Sequence, residues 1–308
     1  MKHIIICGTG RSGTNRMLDV FDFHESTLCR NEVHALDTHV GRLPRAEWDA
    51  DLPHAFSSDW EDAIRSSAST QSARDRLRFA DKNYLNKFAQ LTGPLVRRRN
   101  VRRIVVGRRQ EWPIPSVWLK KKEAILPVIK ILSRGRWIAE THAAFPDQFV
   151  VHVLRNPKSV LQSWMNRFVM KESHSPEVVF EQVKKRAKPI VEKFGGESVP
   201  DAFSIENLLY GQLWLWRNEH DSLAAALNGS PRYGIFDYDD YSSDPVSEAK
   251  RAFEFVGLPF EDHHATRINA MTNTLFSKPH SSKVPDEIVR AQMIRVLKDS
   301  AVGQRYLS

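Results

Sequence analysis

Short apolar runs that end in a glycine or a turn recur along this chain and predict buried strands. They cover residues 3–7 (HIIIC), 148–154 (QFVVHVL) and 234–238 (GIFDY). The first two are apolar at almost every position rather than at alternate positions, which is typical of a parallel strand covered on both faces. We therefore expect these segments in the interior of a sheet.

Between these runs, apolar residues spaced three or four apart predict helices. One helix is predicted directly after the first strand, and the others cover residues 85–95, 123–134, 136–144, 159–170, 172–228 and 245–256. Gly257 follows the last of them, as expected of a helix C-terminal cap. Strands that alternate with helices predict an α/β fold with a central parallel sheet flanked by helices, whose ligands bind beyond the carboxyl ends of the strands.

The loop between the first strand and its helix, GTGRSGTN at residues 8–15, is rich in glycine. Glycines let backbone N–H groups close around an anion, and the following helix adds its positive N-terminal end, so this loop predicts a phosphate-like ligand. The nucleotide-kinase pattern requires Gly-Lys-[Ser/Thr] at its end. Here Gly13 is followed by Thr14 and Asn15, and the positive charge is supplied by Arg11 inside the loop. These departures argue against ATP hydrolysis.

A second group of anion-binding residues follows the strand at 148–154. Arg155 directly follows that strand, and Ser163 and Arg167 lie in the predicted helix after it. Residues four apart share one face of a helix, so Ser163 and Arg167 could converge with Arg155 on a second anion. Two anion sites at neighbouring strand ends suit a nucleotide that carries phosphates at both its 5′ and 3′ positions.

These motifs resemble those of the superfamily of sulfotransferases that use 3′-phosphoadenosine 5′-phosphosulfate (PAPS), and they are closer to the carbohydrate and tyrosylprotein branches than to the phenol branch. The loop Arg11-Ser12-Gly13-Thr14 is similar to the family's 5′-phosphosulfate loop, although Asn15 replaces the usual second Thr. The segment from Arg155 to Ser163 resembles the 3′-phosphate motif, and Arg167 falls where the tyrosylprotein branch has another donor-binding Arg. RYGIFDYDDYSSDP followed by FEFVGLPF resembles a late family signature.

The resemblance implies a P-loop-containing nucleotide-binding fold, with PAPS as the co-substrate. It covers about half of the chain. We expect one sulfotransferase domain over residues 1–308, with an insertion-like region at about 97–122.

The resemblance also implies catalytic residues. CRNEVHAL is similar to the segment that carries the family's Glu base, which indicates Glu32, with His34 as the competitor because histidine titrates near neutral pH. A lysine is expected to bridge donor and acceptor oxygens. Lys130 precedes Phe145-Pro146 at a spacing similar to that of the tyrosylprotein branch, and Lys82 in FADKNYL is the alternative. Sulfuryl transfer requires no metal, so none is expected.

A C-terminal loop closes the donor site in this family. TNTLFSKPHSSK is the candidate segment here, and it offers Ser277, Lys278 and Lys283. A plain polar loop is the other interpretation of the same residues.

The composition of the chain indicates which class of partner it binds. Lys and Arg outnumber Asp and Glu by 45 to 37, a formal net charge of +8, with seven arginines between Arg97 and Arg109. A basic balance favours anionic partners, and the arginine run is either a solvated face or a platform for an acidic acceptor. Cys7 and Cys29 are too few for a disulfide framework, and no apolar segment reaches the ~18 residues of a membrane span. We expect a cytoplasmic protein with free thiols and no transmembrane segment.

The leading hypothesis is therefore a sulfotransferase that acts on the hydroxyl of a sugar, lipid or other metabolite. A phosphotransferase on a related P-loop sheet, which would need Mg²⁺ and ATP, is the second hypothesis. The third is a non-catalytic module that binds polyanions through the arginines at 97–109. Nucleic acid is not an expected partner of the leading hypothesis.

Overall fold

A sheet of five parallel strands forms the centre of the computed structural model. The structure describes residues 2–31, 70–72, 82–91, 111–113, 125–166, 175–275 and 284–307. Its strands are β1 (His3–Gly8), β2 (Thr27–Asn31), β3 (Thr70–Ser72), β4 (Glu111–Pro113), β5 (Leu126–Leu132), β6 (Gln148–Leu154) and β7 (Tyr233–Asp237). The sheet has the order β2-β5-β1-β6-β7, and each neighbouring pair is parallel. β3 and β4 form a separate antiparallel pair.

Helices connect these strands and cover both faces of the sheet. They are α1 (Thr14–Asp22), α2 (Gly135–Ala144), α3 (Pro157–Trp164), α4 (Pro176–Lys193), α5 (Ile205–Leu227), α6 (Tyr238–Ser243), α7 (Pro245–Phe255), α8 (Asp262–Leu275) and α9 (Asp286–Leu297). Residues 87–91 are also helical, and a 3₁₀ turn covers Gly303–Tyr306. In the part of the chain that the structure describes, no helix is both long and apolar enough to cross a bilayer.

The two faces of the sheet belong to different cores, which explains the uninterrupted apolar runs. One face of the sheet packs against α2 and α5 through Ile5, Ile129 and Val150. The opposite face packs against α1 and α7 through Ile4, Val128 and Val151. A strand that is buried on both sides has no position for solvated residues. The predicted α/β fold with a helix-flanked parallel sheet is confirmed.

A third core lies between α4, α5 and α9, where Trp214 and Trp216 are buried. The predicted helical region 172–228 contains α4 and α5, and the helices predicted at 136–144 and 245–256 correspond to α2 and α7.

The helix predicted at 123–134 is wrong. Its central residues form β5, which lies between β2 and β1 in the sheet. An apolar run that is buried on all sides has the same pattern in a strand as in a helix. The three β-branched residues Val128, Ile129 and Ile131 favour the strand, and Pro127 lies near its beginning, where the loss of an N–H donor costs least.

His24 and His264 approach the carboxylate of Glu25 near the beginning of β2. The distance from His264 Nε2 to Glu25 Oε2 is 3.5 Å, and that from His24 Nε2 to Oε1 is 3.9 Å. Each Nδ1 accepts a backbone N–H, from Ser26 at 3.2 Å and from Glu261 at 3.0 Å. The neutral rings therefore carry their protons on Nε2, where a metal ion would need lone pairs. The three side chains are arranged as a hydrogen-bonding cluster.

Five buried histidines of the described residues have lowered pKa values. Burial lowers the pKa of His24 to about 4 and that of His152 to about 3. The pKa values of three others are also lowered, chiefly by burial, in His142, His220 and His264. Each of these rings is therefore held neutral in the folded protein at pH values where it would be protonated in the unfolded chain.

We expect the free energy of unfolding to fall as the pH falls from about 7 towards 5. An unfolded histidine binds its proton near pH 6.5, so at pH 5.5 acid favours the unfolded chain by about 1.4 kcal/mol for each of His24 and His152. Glu219 opposes this trend, because burial raises its pKa to about 7 and the folded protein therefore takes up this proton more readily than the unfolded chain. Burial also raises the pKa of Asp239, which opposes the trend in the same way at lower pH. Urea denaturation across this range measures the slope, and His152→Gln should reduce it. A flat profile would contradict the expectation.

Candidate functional site

The loop from Thr9 to Gly13 follows β1 and turns tightly into α1. Ser12 is fully buried, and its Oγ donates to the carbonyl oxygen of Thr9 at 2.7 Å. Two residues of the loop have positive φ angles, Arg11 at 74° and Gly13 at 96°. Such an angle costs a residue with a side chain about 1–2 kcal/mol. The strain at Arg11 is typical of a functional loop, since ordinary turns avoid it.

Gly13 has room for no side chain, because a ring occupies the space in front of it. A Cβ on Gly13 would lie 2.1 Å from Cδ2 of Tyr238, the first residue of α6. The same ring carries the guanidinium of Arg155, whose Cζ lies 4.7 Å from the ring centroid. Such cation–π stacking orients a guanidinium. Tyr238 thus links the loop to the second predicted anion site.

Arg155 and Asn156 connect β6 to α3, whose first residue is Pro157. The side chain of Asn156 accepts a hydrogen bond from the backbone N–H of Lys158, and Pro157 occupies the first turn. An N-cap residue followed by proline is the usual start of a helix. This turn leaves Arg155 at the carboxyl end of β6, next to the end of β1.

The two predicted anion sites meet directly. Arg11 Nε donates to Ser163 Oγ at 2.9 Å, and Arg155 donates to the backbone carbonyl oxygen of Arg11 at 3.0 Å. These contacts join residues from the glycine-rich loop to residues that follow β6. The structure therefore brings Arg11, Arg155 and Ser163 together, at the carboxyl ends of β1 and β6.

Lys130 lies beside this loop, in β5. It pairs with Ile6 in β1 and with Asn31 in β2, so it is near the carboxyl ends of all three strands. Its side chain is buried, and its Nζ donates to the amide oxygens of Asn15 at 2.5 Å and Asn31 at 2.9 Å. An ammonium group has three donors, and these two amides hold it at the first turn of α1.

Lys82 occupies the opposite end of the sheet. Its Nζ lies 3.1 Å from the Asp22 carboxylate and donates to the carbonyl oxygens of Asp22 and His24 at 2.9 Å. It also donates to Thr27 Oγ1, at the beginning of β2. Lys82 is fully buried and joins the end of α1 to the sheet. Its contacts are those of a structural residue.

Several predicted site residues lie outside the described residues. They are Glu32, His34, Arg167, Ser277, Lys278 and Lys283, together with the run from Arg97 to Arg109 and most of the insertion-like region at 97–122. Glu32 follows in the chain directly after Asn31, which contacts Lys130.

Sequence reasoning missed three residues that connect to the loop, namely His220, His152 and Tyr233. A buried row of hydrogen-bonding side chains runs from the Thr9 hydroxyl through His220 and His152 to the Tyr233 hydroxyl. The one local signal was His152, which interrupts an otherwise apolar strand. His220 lies in a helix that is rich in charged residues, so its burial could not be recognised from the sequence.

Comparisons with known proteins identify the family of this chain. The family model for the sulfotransferase domain matches residues 1–287. Among solved structures, a sulfotransferase from Alicyclobacillus acidocaldarius is 13% identical with a TM-score of 0.43, and the match covers 97% of this chain and 95% of that chain. One from Mycobacterium tuberculosis is 14% identical with a TM-score of 0.45, covering 94% and 76%. A mouse sulfotransferase in complex with PAP is 10% identical with a TM-score of 0.40, covering 99% and 88%. A search of curated protein sequences finds no significant match.

Proposed function

This chain belongs to the sulfotransferase domain family, and on that premise we propose that it transfers the sulfuryl group of PAPS to an acceptor hydroxyl. The observation that carries the proposal is the direct contact between the glycine-rich loop and the Arg155–Ser163 segment. A nucleotide with phosphates at both 5′ and 3′ positions needs two anion sites side by side. Ordinary ATP does not need the second one.

The loop would hold the 5′-phosphosulfate. Its backbone N–H groups and the N-terminus of α1 offer partial positive charge, and Arg11, Thr14 and Asn15 add side-chain donors. Arg11 already spans both sites, because its guanidinium contacts Ser163. Ser12 contributes by holding the loop closed through Thr9.

Arg155 and Ser163 would hold the 3′-phosphate, with Arg167 as a further donor. A guanidinium can give two parallel hydrogen bonds to one phosphate, which makes its orientation important. The Tyr238 ring and the Arg11 carbonyl oxygen hold the guanidinium in one orientation. This fixed orientation supports the assignment of Arg155 to the 3′-phosphate.

The reaction would be an in-line displacement at sulfur. Glu32, with His34 as the alternative, takes the proton of the acceptor hydroxyl, whose oxygen forms a bond to sulfur. The bond between sulfur and the 5′-phosphate oxygen breaks, and adenosine 3′,5′-bisphosphate leaves. Lys130 and Arg11 offset the negative charge that develops on the leaving oxygen. These steps involve no metal ion.

The acceptor would be a small molecule, glycan or lipid that carries a free hydroxyl. Nucleic acid is not among the expected acceptors. Ser277 and Lys278 would close over the donor from the C-terminal side. Residues 1–308 would act as one domain, and the cytoplasm is the proposed location.

We expect adenosine 3′,5′-bisphosphate to bind more tightly than ATP, and Arg155→Ala to weaken that binding by about 10- to 100-fold, since a hydrogen-bonded charge pair is lost. Calorimetry measures both. Arg251→Ala is the matched control, because Arg251 also stacks on an aromatic ring, that of Phe236 at 4.0 Å, but lies on α7. Equal binding of the two nucleotides would contradict the proposed function.

A further inference from the structure

A continuous row of four hydrogen-bonding groups crosses the core between the sheet and α5. Thr9 Oγ1 lies 3.3 Å from His220 Nε2, His220 Nδ1 lies 2.7 Å from His152 Nε2, and His152 Nδ1 lies 2.7 Å from the Tyr233 hydroxyl. Both imidazoles are fully buried. We refer to Thr9, His220, His152 and Tyr233 as the histidine relay.

Burial and ring contacts hold the imidazoles of the histidine relay in place. The two imidazoles lie edge to edge in nearly parallel planes, with centroids 4.9 Å apart, and the centroid of the Trp216 ring lies 4.4 Å from that of His220. Burial, together with Arg305, lowers the pKa of His152, and burial, together with His152, lowers that of His220. Both rings are therefore neutral. Each has one N–H donor and one acceptor nitrogen.

Because each neutral imidazole has one donor and one acceptor nitrogen, the protons of the histidine relay can be arranged in only two ways. In one, Tyr233 donates to His152, His152 donates to His220, and His220 Nε2 donates to Thr9 Oγ1. The Thr9 hydroxyl is then free to give its own proton to another acceptor. In the other arrangement, the donor and acceptor of every hydrogen bond exchange roles, and the Thr9 hydroxyl donates to His220 Nε2. Among the residues that the structure describes, the Thr9 hydroxyl has no second hydrogen-bond partner.

An anion bound in the glycine-rich loop within reach of Thr9 Oγ1 would favour one of these arrangements. In the first, the Thr9 hydroxyl could donate to the anion, whereas in the second it would present only lone pairs, which an anion repels. A single Thr without the relay would be free to rotate between these states. Buried polar chains of this kind are costly unless every member is satisfied, and a satisfied chain fixes one geometry.

We propose that His220 is a positioning residue, which together with His152 orients the Thr9 hydroxyl towards the 5′-phosphosulfate of the donor. This inference rests on the proposed function, because the 5′ group must bind in the loop. His220 itself touches no substrate. It acts by filling one lone pair of Thr9 Oγ1, which directs the remaining proton towards the loop.

Two substitutions of similar size test the proposal, because they keep different ring contacts. In His220→Gln the side-chain amide reaches the position of Nε2 and can still donate to Thr9. In His220→Asn the amide reaches only the position of Nδ1, so the contact with His152 survives and that with Thr9 is lost. We expect His220→Asn to weaken binding of adenosine 3′,5′-bisphosphate about tenfold, the usual effect of one lost hydrogen bond to a charged group. His220→Gln should weaken this binding clearly less than His220→Asn does.

A second ligand and a second background separate positioning from a general loss of stability. Adenosine 3′-phosphate lacks the 5′ group, so its affinity should be the same in wild type and His220→Asn. In the Thr9→Val background, His220→Asn should have no further effect on the bisphosphate. His142→Asn is a control for a buried histidine outside the relay, since His142 contacts Ser230 instead. Nitrogen-15 NMR of the bisphosphate complex should show the proton of His220 on Nε2.

The inference would be overturned if His220→Asn weakened the binding of both nucleotides equally. It would also be overturned if His220→Asn still weakened binding of the bisphosphate in the Thr9→Val background. A proton on His220 Nδ1 in the complex would also overturn it. If the wild type binds the bisphosphate no better than the 3′-phosphate, the proposed function itself fails, and the inference fails with it. The wild-type comparison therefore distinguishes the two failures.

Discussion

Lys130→Met is expected to lower kcat by about 10²- to 10³-fold, the usual effect of removing one preorganised donor from a developing negative charge. The KM for the donor should change much less, because the loop and Arg155 hold the nucleotide in the ground state. Lys130 suits this role because Asn15 and Asn31 fix its ammonium at the carboxyl ends of the strands. Steady-state sulfuryl transfer, measured with labelled PAPS and a hydroxyl acceptor, checks the prediction.

Lys82→Met is the matched control, since both lysines are buried and both variants remove a charge. Lys82 contacts Asp22 at the other end of the sheet, and breaking a buried ion pair costs about 3–5 kcal/mol of stability. The variant should therefore unfold more easily, while the folded fraction keeps its kcat. The assignment of Lys130 would be wrong if the two variants exchanged these effects.

Gly13→Ala is expected to weaken binding of adenosine 3′,5′-bisphosphate by at least about tenfold. The new Cβ would overlap the Tyr238 ring, so the ring must move, and Arg155 then loses the surface on which it stacks. The positive φ of Gly13 adds about 1–2 kcal/mol of strain. Calorimetry with the bisphosphate measures the loss.

Two other glycines separate the strain from the steric overlap. Gly229 has a φ of 78° but no atom within 4 Å of a Cβ, so Gly229→Ala adds strain alone. Gly10, in the same loop as Gly13, has neither the positive φ nor the neighbour, and Gly10→Ala should leave the thermal stability unchanged. If Gly13→Ala bound the bisphosphate as well as Gly229→Ala does, the link through Tyr238 would be refuted.

The sequence predicted the fold and part of the candidate site because these features are local. Strands β1 and β6 are apolar on both sides, and each is followed by a loop whose residues have recognisable chemistry. The convergence of Arg11, Arg155 and Ser163 followed from one rule, that parallel strands end at the same edge of the sheet. The structure shows these three residues in contact.

The features that the sequence did not predict either lack a periodic pattern or depend on partners far away in the chain. β5 was mistaken for a helix because complete burial removes the periodicity that separates the two. The role of Tyr238 depends on the space in front of Gly13, and the pairing of His152 with His220 joins a strand to a helix 68 residues later. Neither pairing has a pattern within one segment.

The contacts that join the two anion sites also have a consequence for folding. Arg11 and Ser163 are separated by 152 positions, and Arg155 and Arg11 by 144. Contacts between such distant positions form only after a long loop has closed, whereas α4 and α5, which are neighbours along the chain, can associate early. During synthesis, the N-terminal half of the site must wait until residues beyond 163 have left the ribosome. The ability to bind the donor is thus acquired late in folding, and nucleotide binding would report that β1 and β6 have paired in the sheet.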